Sequence, residues 1–278
     1  MISKDSATPA EMHEGGNGDL VIRPAHDRAE LEGAYELVYH NYRPREYIPA
    51  NPFGLRLTIF NAFPSSVTFV GVIHNQVIAT VSLIPDTPIG LPMDEIYREE
   101  VQALRDAGRR LVEVTMLADR RLTIRRSLAT VLTLMKLVFD CAALSLKATD
   151  LCITVNPHHD KFYHEYLLFS PLGGLRAYPS VSGNPAIARR QDLERVEEEF
   201  RRRRPSLLHR FFEDRTPTSL FEQRYHMTAA DLRYFFVERT HIFQESPPYM
   251  LNRLRDCYPD FDWDALGAGQ FSGAHGAS

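Results

Sequence analysis

The stretch "LVEVTMLAD", residues 111–119, sets Glu113 inside an apolar run that reads as a β-strand. A buried carboxylate with no partner is costly, so the position calls for a reason. Strand alternation puts Glu113 and Thr115 on one face of a sheet and Val112 and Val114 on the other. Two readings of Glu113 follow. It is a base at the wall of a cleft, or it has no catalytic duty and is partly exposed or paired with an arginine such as Arg109 or Arg110.

Directly after this strand, "ADRRLTIRRS" gathers Arg120, Arg121, Arg125 and Arg126 where a strand hands over to a helix. Guanidinium forks and the free N–H groups of a helix start both suit a phosphate, and a solvated basic turn is the alternative. No Gly-x-Gly-x-x-Gly and no P-loop lysine accompanies them, which weakens a nucleotide reading. A third group lies in "ITVNPHHDKFYHEYLLF". Asn156 ends a strand there and is a candidate substrate-binding residue. Tyr163, on the helix that follows, can protonate a leaving thiolate, or it is an aromatic packed in the core. His158, His159 and His164 lack the carboxylate spacing of a metal site, and no metal is expected.

The elements that must hold these residues follow from periodicity. "DLVIRPA" reads as a strand, and Asp27 caps a helix through "DRAELEGAYELVYHNY". "REYIPANPFGLRLTIFNAFPSS" is a long irregular loop with short helical turns, of the kind that often has a role. "VTFVGVIHNQVIATVSLIP" is a hairpin turning at "HNQ". A helix capped by Asp94 and stopped at Gly108 leads into the Glu113 strand. A long helix from about Ile124 to Lys147, the strand "DLCITVNP", a short helix and a hairpin turning at Ser182–Gly183–Asn184 complete the series. This order implies an α+β fold with a mixed central sheet flanked by helices. Beyond about Arg190 the chain becomes helical and charged, a C-terminal helical appendage over residues 191–266, with a flexible tail at 267–278.

Composition narrows the classes. The 278 residues carry a net charge of −4 and are 44% hydrophobic, which gives no global case for nucleic-acid binding. Three cysteines, Cys141, Cys152 and Cys257, support neither a disulfide framework nor a zinc site and fit a reducing cytoplasm. Residues 1–19 read as a disordered leader without the apolar core of a signal peptide. "SLATVLTLMKLVFDCAALSL" is long enough to span a bilayer, but Lys136 and Asp140 inside it point to a buried helix. In the appendage, Arg201–Arg204 beside Leu207, Leu208, Phe211 and Phe212 suit an anionic lipid surface or a second subunit. The competing reading is a helix packed on its own domain.

The segments "VIATVSLIPDTPIGLPMDEIYREEVQALRDAGRRLVEVTMLAD" and "CITVNPHHDKFYHEYLLFSPLGGLRAYPSVSGNPAIA" together resemble the FeeM-type long-chain N-acyl amino acid synthases. These are a bacterial branch of the GNAT acyltransferase fold related to acyl-homoserine lactone synthases. The resemblance spans roughly Val21–Arg190 and implies a GNAT-like N-acyltransferase domain over residues 20–190. It further implies transfer of a fatty acyl group from the phosphopantetheine thioester of acyl carrier protein to the α-amine of an amino acid, often tyrosine. Glu113 would then take the proton of the acceptor ammonium, and backbone N–H groups near Thr115 and Met116 would polarise the thioester carbonyl. Lactone synthases carry Glu-x-Ser-Arg and Arg-Leu-Leu-Pro where this chain has "EVTM" and "SLIP", so both arginines are missing and lactone formation is not expected. "RLTIRRSLA" lacks the glycines of the CoA-pyrophosphate signature. The single phosphodiester and acidic helix of a carrier protein suit Arg120–Arg126 better.

Overall fold

Two β-branched runs separated by His74 and Asn75 fold back on each other as β3 (Val67–Ile73) and β4 (Gln76–Pro85). Both turn residues take left-handed φ, 49° and 60°, the geometry a two-residue hairpin turn needs. The structure, a computed structural model, describes residues 12–14, 20–120 and 124–266. The remaining elements are β1 (Met12–Glu14), β2 (Leu20–Pro24), α1 (Arg28–Tyr42), α2 (Asp94–Asp106), β5 (Leu111–Asp119) and α3 (Ile124–Asp140). They continue through β6 (Asp150–Val155), α4 (Pro157–Lys161), β7 (Ser170–Tyr178) and β8 (Asn184–Asp192). Short helices α5 (Val196–Arg203), α6 (Pro205–Leu208), α7 (Thr218–Glu222), α8 (Ala229–Arg233), α9 (Ile242–Glu245) and α10 (Pro248–Arg255) close the chain.

The strands form one mixed eight-stranded sheet in the order β1-β2-β3-β4-β5-β6-β8-β7. Every pairing is antiparallel except β5 with β6, which α3 joins as a crossover. α1 covers one face over β3 to β5, and α3 covers the other over β2 to β5. Asp27 caps α1 as its sequence predicts, accepting the Glu30 N–H at 2.9 Å. Gly108 ends α2 with φ +73°.

Several local expectations are corrected. The segment read as a disordered leader contributes β1 at Met12–Glu14, paired with β2; the rest of residues 1–19 and the tail 267–278 lie outside the described residues. Met93, not Asp94, is the N-cap of α2. Asp94 is committed elsewhere: its carboxylate accepts the Leu91 N–H at 2.7 Å and two guanidinium N–H groups of Arg105. The helix expected to run to Lys147 ends at Asp140 and closes in a π turn, Cys141–Ser145.

The apolar stretch Leu128–Ser145, although long enough to cross a membrane, is 67% buried within the protein. Its two charges meet each other, Lys136 Nζ standing 2.7 Å from Asp140 Oδ2. The same Asp140 accepts from Thr216 N at 3.0 Å and Arg215 Nη1 at 2.8 Å, and Lys136 also donates to Thr216 Oγ1. This node, buried at Lys136, Asp140 and Thr216 and half-buried at Arg215, ties α3 to the segment between α6 and α7.

The helices after β8 continue the clusters of the sheet. Val196, Phe200, Leu207, Phe211, Phe212, Leu220 and Phe221 pack on the α3 face. Leu232, Phe235, Phe236, Phe243 and Trp263 pack with Tyr35 on the α1 face. Leu207, Phe211 and Phe212 are therefore buried, Phe212 with its ring 5.1 Å from that of Phe139, and are not open to lipid. Arg201, Arg202 and Arg203 pair along their own helix with Glu197, Glu198 and Glu199. The packed reading holds for Leu207, Phe211 and Phe212 because they are withdrawn from water on the α3 face. Asp140→Ala should cost about 3–5 kcal/mol, because it strands Lys136 and Arg215 without a counter-charge, and should lower Tm by roughly 10 °C in a thermal melt. An unchanged Tm would show that the node does not hold the C-terminal segment.

Candidate active site

β5 changes its facing partway along. Ser82 of β4 lies opposite Thr115, but Thr80 lies opposite Ala118, so Val81 faces both Met116 and Leu117. The extra residue is a β-bulge, and Met116 carries it with φ +58°. Val112 and Val114 accordingly face α3, whereas Met116 and Ala118 face α1; unbroken alternation would put all four on one side. At nearly the same level β5 and β6 part. Their parallel ladder ends at Val114–Ile153, after which β5 follows only β4 to Asp119 and β6 follows β8 to Val155. From Thr115 onward, among the described residues, no strand lies beside β5 on its β6 side. The result is a wedge in the sheet with open backbone along one wall.

Glu113 stands at the apex of this wedge, opposite Cys152 of β6 and Ile84 of β4. It is 2% exposed. Met93 N–H donates to Oε2 at 2.8 Å, and Thr154 Oγ1 donates to Oε1 at 3.4 Å. No ion pair to Glu113 exists among the described residues. The arginines offered as partners are engaged elsewhere: Arg109 with Asp150, Asp192 and Glu194, and Arg110 with the carbonyl of Lys147. Burial pushes the Glu113 carboxyl up to about 8, and the negative charge of Asp94 adds to the rise against the two hydrogen bonds. Such a carboxyl exchanges a proton near neutral pH, which is the property of a general base.

The peptide that binds Glu113 is itself held. Pro92 C=O and Met93 N–H belong to one peptide unit, and Tyr178 Oη donates to that carbonyl at 3.1 Å. Tyr178 and Glu113 thus grip opposite ends of a single amide. Burial raises the Tyr178 hydroxyl, and the neighbouring Glu113 and Glu95 raise it further. Arg56, from the long loop after α1, donates from Nη2 to the carbonyl of Ser180 at 2.9 Å and lies close enough to act on Tyr178 and Tyr42. Sequence reasoning passed over both Tyr178 and Arg56. A signal for Arg56 was present: "LRL" sets one charge between Leu55 and Leu57, both buried, as "VEV" does for Glu113.

The other singled-out residues fall on several walls. Thr115 is half-buried on β5 opposite Ser82. Tyr163, 8% exposed, is packed edge-on against Phe162 and Phe169 in the core beneath α3, and burial raises its hydroxyl, with Tyr42 adding to the shift. Asn156 is the N-cap of α4, its Oδ1 accepting the His158 N–H at 3.1 Å. His164 bonds the Phe169 carbonyl, while His158 and His159 are exposed. Among the described residues no group of three His, Cys, Asp or Glu converges as a metal site. Arg120 is exposed at the end of β5, where its N–H donates to Ile78 O and its side chain borders the β3–β4 turn. Arg121 lies outside the described residues; Arg125 and Arg126 begin α3, and their side chains also lie outside them.

The sequence matches the family of the N-acyl amino acid synthase FeeM over residues 33–192. Among solved structures, FeeM, an N-acyl amino acid synthase from uncultured soil microbes, shares 31% identity and a TM-score of 0.57. That match covers 66% of this chain and 95% of FeeM. A CoA-dependent acyl-homoserine lactone synthase, BjaI, shares 18% identity with a TM-score of 0.47, covering 65% of this chain and 89% of that one. An acyl-CoA N-acyltransferase from Pseudomonas aeruginosa shares 14% identity with a TM-score of 0.42, covering 62% and 99%. No curated protein sequence matches the chain. The family match takes in more than half of the chain, including every strand that shapes the wedge at Glu113, so this protein is an acyltransferase of GNAT-like α+β fold and belongs to the family of the N-acyl amino acid synthase FeeM.

Proposed function

We propose that this protein moves a long-chain fatty acyl group from the phosphopantetheine thioester of acyl carrier protein to the α-amine of an amino acid, with tyrosine the first acceptor to test. The observation that carries the reading is Glu113: a buried carboxyl raised to about 8, with no ion pair among the described residues, at the apex of a wedge along which no described strand pairs with β5. In the proposed reaction Glu113 takes a proton from the acceptor ammonium, directly or through water. The freed nitrogen attacks the thioester carbonyl carbon, the C–S bond breaks, and the second proton that the nitrogen loses as the amide forms makes up for the one given to the departing thiolate. Backbone N–H groups at Thr115 and Met116 receive the developing oxyanion, a role supported by the bulge that takes Met116 out of regular pairing with β4. Tyr163, kept protonated by burial, is the assigned acid for the thiolate, and Asn156 shapes the mouth on the β6 side.

Glu113→Gln should lower kcat roughly 10²-fold or more with the fold intact. The variant should also melt at higher temperature than the parent. A carboxyl raised from 4.5 to about 8 in the folded state binds more protons folded than unfolded between those values, so the parent loses stability as pH rises through that window. The gain in Tm should therefore be absent near pH 4.5 and grow toward pH 8. The parent kcat/KM should rise with pH to a plateau above about 8, and Asp94→Asn should move that rise to lower pH by removing a negative neighbour. Unchanged turnover in folded Glu113→Gln would remove Glu113 from the mechanism.

Donor choice rests on the basic stretch that follows β5. Paired reversal, Arg121→Glu with Arg125→Glu, should weaken use of acyl carrier protein about tenfold or more at low salt and flatten its salt dependence, while a short acyl-pantetheine thioester loses less. Equal losses with both donors, or faster turnover with acyl-CoA than with the carrier protein, would count against a carrier-protein donor.

A further inference from the structure

Arg56 is held as a binding group is held. Leu55 and Leu57 on either side are buried, and the Arg56 backbone N–H donates to Tyr35 O at 3.1 Å, so the stem of the side chain is fixed. Its guanidinium has a hydrogen bond to Ser180 O and, among the described residues, no ion pair. Arg105, Arg109 and Arg189, similarly sheltered, each face a carboxylate. Glu95 lies near Arg56, but its Oε2 accepts the hydroxyl of Ser180 instead. Arg56 is half-buried, and that burial lowers its proton affinity, with Tyr42, Tyr178 and Glu95 opposing, as expected for a partly desolvated charge without a full counter-charge. A guanidinium in that condition gains most from a bidentate carboxylate.

The second observation is where this cation stands. Tyr178 is close enough to both Arg56 and Glu113 to sense both charges. Its hydroxyl holds the Pro92–Met93 peptide whose N–H holds Glu113, and two residues on, Ser180 holds Arg56. A free α-amino acid is a zwitterion whose ammonium and carboxylate share one carbon. A base and a cation without an ion pair among the described residues, both beside Tyr178, match that pattern. From this juxtaposition we infer that Arg56 receives the α-carboxylate of the acceptor while Glu113 faces its ammonium, which makes the protein selective for free amino acids over amines that lack the carboxylate. The inference rests on the proposed N-acylation of amino acids and adds how that acceptor is recognised.

The test compares L-tyrosine with L-tyrosinamide, and L-leucine with L-leucinamide, at a saturating acyl carrier protein donor. The parent should prefer each free acid. Arg56→Gln should raise KM for the free acids about 100-fold, leave kcat within about threefold, and change the amides little. Arg56→Lys, which keeps charge but loses the fork, should fall between the two and also reports the outcome if Arg56→Gln folds poorly by thermal melt. If the parent acylates both amino acids but Arg56→Gln, or Arg56→Lys in its place, keeps the parent's preference for the acids with unchanged KM, Arg56 is not the receptor and the amino-acid reading survives. A parent that uses the amides as well as the acids would overturn the carboxylate selectivity. A parent that acylates neither free acid would overturn the amino-acid reading, and this inference with it.

Discussion

A carboxyl group shut away from water with no cation near it costs several kcal/mol to keep charged, and it relieves that cost by holding its proton until about neutral pH. Glu113 is in that condition, and much of the surrounding structure serves to keep it there. Its firmest contact, the Met93 N–H, comes from the first turn of α2. That turn is fixed by Arg105, which reaches from the far end of the helix to Asp94 and Asp86. The Pro92–Met93 amide is pinned from its other end by Tyr178. Tyr97, one turn along α2, donates to the carbonyls of Gly174 and Ala186 and so clamps the helix to β7 and β8. Its ring lies so close to Gly173 that a Cβ there would approach within 2.4 Å. Glycine at 173 is therefore a condition of the clamp and, through it, of the environment of Glu113.

The wedge that opens in front of Glu113 has a separate origin. The bulge at Met116 turns the second half of β5 toward α1, while β6 leaves to pair with β8. Backbone donors exposed inside a sheet would be a liability in most folds, since an open strand edge recruits other strands. Here the opening lies within the sheet, flanked by α1 and α3, and not at its outer edge. α3 can serve as a wall because both of its faces are satisfied. One packs on β2 to β5, and the other is covered by the aromatic residues of α5 and the segment through α6. The C-terminal helices thus stiffen the walls of the wedge from outside.

The sequence disclosed what depends on local pattern. Alternation in "LVEVT" marked Glu113 as anomalous, the two-residue turn at His74–Asn75 announced the first hairpin, and Asp27 announced the start of α1. What stayed hidden depends on partners distant along the chain. Lys136 and Asp140 read as charges in an apolar helix, and nothing nearby shows that Thr216 and Arg215 meet them some 75 residues later. For Phe211 and Phe212 a lipid-facing stripe and a helix packed on its own domain both stayed open, because amphipathic patterning is the same whether the apolar side meets a membrane or α3. The bulge was invisible for another reason: Met116 is not the glycine or asparagine that usually advertises left-handed backbone. Asp94 misled because an acidic residue at a helix start fits a cap as well as it fits an arginine clamp.

The central claim is that burial delays ionisation of the Glu113 carboxyl to about pH 8, and that its ionised form accepts one proton from the acceptor. Infrared difference spectroscopy of the free protein, titrated from pH 5 to 10 against Glu113→Gln as the blank, observes that group directly. The account predicts a protonated carboxyl band that is absent in Glu113→Gln and fades in the parent with a midpoint of about 8. A band already lost at pH 5, with a midpoint near the ordinary 4.5, would mean that Glu113 is solvated or paired, and would contradict the account.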